Sequence, residues 1–209
     1  MIFDNENVLY KAATPQQAKV AAALIYDTDP NLFAYWLGDD YETALKFLEA
    51  EWKQERSLFS FSLCKIAVSG ETLLGIELGY DFKTQTDLKP DTGVTGAGKI
   101  NPEVLPCLIE VASYLPYLLP PIPEDAYYIA HLSLLPEVRD RGLGTGLLMN
   151  AFDSAREQGY RQCQLDVASD NRSVNLYRRM GMEVISETRV IQLKTNGVPS
   201  HYRMAKQLG

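Results

Sequence analysis

Apolar positions along this chain alternate between strand and helix spacing, and the changes of period mark its elements. Residues 8–12 suit a short strand. Thr14-Pro15-Gln16-Gln17 follows as a helix start, with Thr14 as cap, Pro15 in the first turn and Gln17 closing a capping box. The helix carries Ala18, Ala21, Ala22 and Ile25 inward and stops near Asp29-Pro30. A second helix begins around Asp40, places Ala44, Phe47, Leu48 and Trp52 on one face, and runs to about Arg56. Residues 59–68 and 73–80 read as strands joined through Ser69-Gly70-Glu71, a hairpin.

Residues 81–126 break this rhythm. Asp91 to Gly98 has loop composition. Asn101-Pro102-Glu103 then opens a helix whose stripe is Leu105, Leu108, Ile109, Ala112 and Leu115, ended by Pro116, Pro120, Pro121 and Pro123. The regular alternation resumes with a strand at 127–135, a helix at 143–158 stopped by Gly159, and a strand at 162–167. A short helix at 173–180 stopped by Gly181 and strands near 184–193 and 202–207 complete the order. The sum is an α/β protein with a mixed central sheet of about seven strands. One domain over 1–209 is expected, with 81–126 an inserted loop–helix segment.

A net charge of −7 speaks against nucleic acid as the partner, because binding phosphodiesters needs a basic face. An acidic surface tilts slightly towards a cationic substrate such as an amine. The segment Met1-Ile2-Phe3-Asp4-Asn5-Glu6 lacks the basic start and apolar run of a secretory signal, and no stretch is apolar enough to span a membrane. Cys64, Cys107 and Cys163 are odd in number and far apart, so reduced thiols in a cytoplasmic protein are expected, with neither disulfide nor metal.

The candidate chemistry lies between Pro136 and Met182. Arg139-Asp140-Arg141-Gly142-Leu143-Gly144-Thr145-Gly146 is a glycine loop that opens a helix, where bare amides and the positive end of the helix dipole hold a phosphate. A P-loop would end in Gly-Lys-Ser/Thr, and this loop has no lysine. A dinucleotide loop would need glycine at Leu147. Asn171, Tyr177 and Gly181 follow one strand later.

With strands before and after it, the combination Arg139-x-x-Gly142-x-Gly144 and Asn171…Tyr177…Gly181 resembles the GNAT superfamily of acetyl-CoA-dependent N-acetyltransferases. The resemblance covers roughly 8–80 and 127–207, is strongest over 132–182, and leaves the insertion unexplained, since most members join the flanking strands by a short turn. It implies a GNAT fold. It also implies that the loop, Arg139, Arg141, Gly142, Leu143, Gly144, Thr145 and Gly146, binds the pyrophosphate of acetyl-CoA. Gly142 and Gly144 would let the backbone approach, and the amides of 141–146 would lack helical partners. Leu132 and Leu134 would offer backbone groups to the pantetheine arm, in a gap where their strand splays from 162–167. Asn171 would bond the pantetheine, or simply cap its helix. Tyr177 would protonate the departing thiolate, the alternative being a core aromatic.

For the base that must take the amine's proton, the residues offer Glu77, in mid-strand between Ile76 and Leu78, and His131, on the strand leading to the loop. Each has a plain alternative, a solvent-facing strand residue and a core histidine. The implied activity is direct acetyl transfer from acetyl-CoA to a primary amine, as a small molecule or on a peptide. A non-catalytic acyl-CoA-binding module and a transferase for a longer acyl group are the alternatives. For the insertion, a lid over the acceptor site, a homodimer contact and plain core cover stand open.

Overall fold

The computed structural model describes residues 8–38, 40–100 and 102–209. The segment Met1 to Glu6, weighed above for a targeting signal, and Asn101, expected to open a helix, lie outside the described residues. The sheet has seven strands: β1 (Leu9–Ala12), β2 (Cys64–Ser69), β3 (Thr72–Tyr80), β4 (Ala126–Leu134), β5 (Gln162–Ala168), β6 (Glu183–Thr188) and β7 (His201–Gln207). Their order is β1-β2-β3-β4-β5-β7-β6, and β4–β5 is the one parallel pair among them. Among the described residues no helix is long and apolar enough to cross a membrane.

The first helical hairpin forms as its capping residues dictate, with one addition. Thr14 N–H donates to Gln17 Oε1 at 2.6 Å, closing a turn that leads into α1 (Ala18–Tyr26). Asp29-Pro30 is then a second start rather than only a stop. Asp29 Oδ1 accepts from Leu32 N–H at 3.2 Å and caps α2 (Pro30–Trp36), with Pro30 in the first turn where its missing N–H costs nothing. Helix α3 (Tyr41–Trp52) starts at the Asp40 cap and ends four residues sooner than expected. The strand expected from residue 59 begins at Cys64, because Ser60 first caps a short 3-10 turn over Phe61–Leu63. Helices α1 and α3 cover one face of β2 and β3 with Ile25, Phe47, Trp52, Ile66 and Ile76, all fully buried.

Among its described residues the insertion holds three α-helices: α4 (Phe82–Leu88), α5 (Val94–Ala97) and α6 (Leu105–Leu118). Asp81 caps α4 by accepting from Thr84 N–H at 2.8 Å, and Gly93, at φ 86°, turns the chain into α5. Neither helix was legible as period. Helix α6 runs two residues past Pro116, expected as its stop, although a proline there gives up the bond to Ala112 O and crowds that carbonyl. The buried side of α6 is Val111 and Leu118. Ile109, expected on the covered stripe, is 68% exposed.

Both halves of the insertion are docked on the rest of the chain. Buried Glu51 of α3 accepts from the amides of Gly93 (2.9 Å) and Gly96 (2.6 Å). Val111 and Leu118 pack with Leu32 of α2 and with Val190, Leu193 and Val198 from the connection between β6 and β7. Trp36 Nε1 donates to Leu108 O, and Arg203 of β7 donates to Pro120 O at 2.5 Å. Helix α6 is thus cover for the domain's own side chains.

On the opposite face of the sheet lie α7 (Leu143–Glu157) and α8 (Ser173–Arg179), built on Leu148, Phe152, Leu165, Tyr177 and Met204. The run 184–193, expected as one strand, divides into β6 and a short helix α9 (Ile191–Thr195), whose Leu193 turns inward to meet α6.

Candidate functional site

Strands β4 and β5 pair only from Ala126↔Gln162 to Ile129↔Leu165. Opposite β3 the register slips at Ala130, an extra residue that bends β4 away from its parallel neighbour. Beyond this point the backbone groups of β4 on the side away from β3 have no strand opposite them, and the gap opens into a cavity of about 540 Å³. Ala130, Leu132, Ser133 and Leu134 form one bank and Leu165, Asp166 and Val167 the other. The start of α7, the cleft side of α8, and Asp27 and Thr28 from the α1–α2 turn close it.

Gly142 takes φ 84° and turns the chain into α7. The first amide of that helix to find a carbonyl is Gly146, bonded to Gly142 O at 3.2 Å. Those of Leu143, Gly144 and Thr145 precede it and have no helical partner. Gly146 therefore leaves the set of free donors expected from the sequence. The three glycines also differ in purpose. A Cβ on Gly142 would meet nothing within 4 Å, so this is where backbone is open to an approaching anion. A Cβ on Gly144 would press on Leu176 of α8 at 3.2 Å, and the place of a Cβ on Gly146 is taken by the Tyr10 hydroxyl. Gly144 lines the cavity but is small for helix packing; Gly146 lies off it, and so does Leu143, which is in the core.

Arg139 lines the cleft, yet its guanidinium is occupied. Nε and Nη2 donate to Leu134 O at 3.0 and 2.9 Å, and Nη2 pairs with Asp27. It fastens the loop to the α1–α2 turn rather than offering a spare charge. Arg141 is not among the cleft-lining residues. Asn171 Oδ1 accepts from Ser173 N–H at 2.8 Å while its Nδ2 reaches Thr28 O at 3.5 Å, so it caps the start of α8 and also lines the cleft.

Tyr177 is 6% exposed and faces the cavity from α8. Burial pushes its pKa up to about 12, a hydrogen bond from Ser173 working the other way. At neutral pH it is a protonated phenol, a donor in waiting.

The two candidate bases are separated by the sheet. Glu77 is 2% exposed, accepts from Tyr127 Oη at 2.9 Å on the α7 side, and does not line the cleft. Burial raises its pKa to about 7, with Tyr127 and Lys65 partly offsetting. His131 projects to the α1–α2 side, stacked on Phe59 with 5.6 Å between ring centroids. Its Nδ1 lies 2.9 Å from Thr28 Oγ1, which itself donates to Ile25 O at 2.6 Å and lines the cleft. Burial lowers the His131 pKa to about 4, against the pull of Asp29, so the ring is neutral.

Glu77 makes the stability of the fold depend on pH. With its pKa raised from 4.5 to about 7, the fold holds this proton more tightly than the unfolded chain. The stabilisation is complete below about pH 4.5 and is lost as pH rises through 7. Glu77→Gln keeps an acceptor for Tyr127 and cannot ionise. It is expected to match the parent at pH 4 and exceed it at pH 8.5 by on the order of 3 kcal/mol, with turnover retained. Urea unfolding at the two pH values checks this; equal stabilities at pH 8.5, or lost turnover in a folded variant, would refute it.

Three features escaped the sequence reading. The α1–α2 turn (Asp27, Thr28) reaches the cleft only because α2 exists. Arg172, Asn175 and Arg179 also line it, at a helical spacing that was available to be noticed. Asp166 lies between two apolar strand residues, a signal that could have flagged it, and forms a buried pair with Arg203 (2.6 Å).

The acetyltransferase (GNAT) family profile matches residues 82–182. An N-acetyltransferase from Staphylococcus aureus Mu50 has a TM-score of 0.69 to this chain at 15% identity, over 95% of this chain and 100% of that one. The ribosomal-protein-S18-alanine N-acetyltransferase from Escherichia coli has 0.56 at 12% identity, over 97% and 94%. These two likenesses are of fold. No curated protein matches the sequence.

Proposed function

Because the chain belongs to the acetyltransferase (GNAT) family, we propose that it moves the acetyl group of acetyl-CoA directly to a primary amine, on a small molecule or a peptide, in the cytoplasm. The observation that carries this is the cleft between parted β4 and β5, with the free amides of α7 at its mouth and the buried, protonated Tyr177 on its wall. The residues fit the cofactor. The amides of Leu143, Gly144 and Thr145, at the positive end of a 15-residue helix, suit the pyrophosphate, and the open space at Gly142 admits it. On the edge of β4 that faces no strand, the backbone groups of Leu132 and the N–H of Leu134, whose carbonyl is taken by Arg139, suit the amides of the pantetheine arm.

Bound acetyl-CoA supplies an activated carbonyl and a thiolate leaving group. The chain supplies position and protons. Tyr177 gives its proton to the departing sulfur. His131 stands behind the cleft-lining Thr28, not in the cleft. Because Thr28 gives its own proton to Ile25 O, the His131 Nδ1–H donates to Thr28, and with a pKa of about 4 the ring is a weak base, so the proton of the attacking amine passes to water in the open cleft. No cysteine lines the cleft, and burial pushes the Cys64 and Cys163 thiols well above their ordinary pKa, which favours direct transfer over an acetyl-cysteine route.

Gly142→Ala tests the cofactor assignment. A non-glycine residue at φ 84° costs roughly 1–2 kcal/mol, and its methyl would stand where the anion approaches. CoA affinity is expected to fall about tenfold or more, measured by calorimetry on the folded variant. Unchanged affinity would remove the loop from cofactor binding. Acetyl-CoA binding without thioester cleavage in the presence of any amine from a broad panel would argue for a binding module instead.

A further inference from the structure

Helix α8 has two working faces. Val174 and Tyr177 point into the core, while Arg172, Asn175 and Arg179, spaced i, i+3, i+7, fall on one side and all line the cleft. Between them Leu176 touches the place of a Gly144 Cβ, so this polar stripe lies directly against the start of α7, where the free amides are. We propose that Arg172, Asn175 and Arg179 form a separate phosphate subsite that takes the 3′-phosphate of CoA and makes the protein prefer CoA to 3′-dephospho-CoA. The proposal rests on the cofactor reading above and deepens it.

The charges around the cleft point this way. Arg139 is saturated by Leu134 O and Asp27, and Arg203 is committed to buried Asp166. The stripe on α8 is different. Arg172 lies 3.7 Å from Asp140, in a pair whose side chains are 66% and 85% exposed, an arrangement worth little and easily exchanged. Among the described residues Arg179 has no carboxylate partner. Two arginines so lightly held, on one helix face at the mouth of a cleft, stand out on a chain of net charge −7. The α7 amides are neutral donors already matched to the pyrophosphate. A phosphomonoester is close to a dianion at neutral pH, and planar guanidinium groups bind it through paired hydrogen bonds. Asn175 adds two amide donors between them.

The alternative is that the arginines merely attract any polyanion. A cycle of variants against ligands separates the two. CoA and 3′-dephospho-CoA are titrated by calorimetry at fixed ionic strength into the parent, Arg172→Gln, Arg179→Gln and the double variant. Both substituted positions are exposed, so folding should be unaffected. The parent is expected to bind CoA at least tenfold more tightly than dephospho-CoA. In the double variant that preference should fall to within about twofold, through weaker CoA binding with dephospho-CoA affinity unchanged. Equal affinity of the parent for both ligands, or variants that weaken both by the same factor, would overturn the subsite and leave the cofactor reading standing. Failure of the folded parent to bind either ligand would overturn both.

Discussion

Tyr177→Phe is expected to lower turnover by ~10²–10⁴-fold and to leave CoA affinity nearly unchanged. The ring packs in the core with Val174 and Met182, and phenylalanine preserves that packing. Only the hydroxyl is lost, and with it the proton for the leaving sulfur. Since burial holds the Tyr177 pKa near 12, the parent should show no decline from this group as pH rises to about 9. Ser173 loses its partner at the same time, which Ser173→Ala alone would control for. Single-turnover thioester cleavage with the best amine found in a panel gives the chemical step, and calorimetry gives affinity. Full single-turnover rate in the variant would take Tyr177 out of the mechanism, whatever the fate of the cofactor site.

The glycine turn at the start of α7 and the short helix that carries Tyr177 were legible because their geometry is local. A glycine that must take φ 84° and a helix start are written within a few adjacent residues, and the sheet needed only its alternating period. What failed was of two kinds. Some signals had two meanings: Asp29-Pro30 ends one helix and starts another, and Pro116 sits inside a helix it was expected to end. Other features exist only in the tertiary structure. Nothing near Glu77 says that Tyr127 will meet it on the face away from the cleft, and nothing in Arg139 says that Asp27 will occupy it. The insertion belongs to the second kind. Its apolar content correctly demanded cover, but only packing shows that α6 is itself the cover for Leu32, Val190 and Leu193.

Arg203→Met should cost roughly 3–5 kcal/mol of stability, a large share of what holds a domain of this size together. Asp166 and Arg203 have side chains 2% and 3% exposed. Arg203 Nε and Nη2 donate to the two Asp166 oxygens at 2.7 and 2.6 Å, and Tyr128 Oη adds a third bond at 3.0 Å. Arg203 also donates to Gln164 Oε1 at 2.9 Å and to Pro120 O, which ties the far end of the insertion to β7. A methionine fills much of the same space but leaves Asp166 charged, buried and without its cation. The same residue lines the cleft, so water entering to solvate it would do so from there. The control is the double variant Asp166→Leu with Arg203→Met, which removes both charges and should recover part of the loss. Urea midpoints measure the stability, and limited proteolysis near 119–124 reports whether the insertion has come loose. An Arg203→Met protein within 1 kcal/mol of its parent would mean that the pair does not hold the insertion on the sheet, and that the apolar contacts of Val111 and Leu118 suffice.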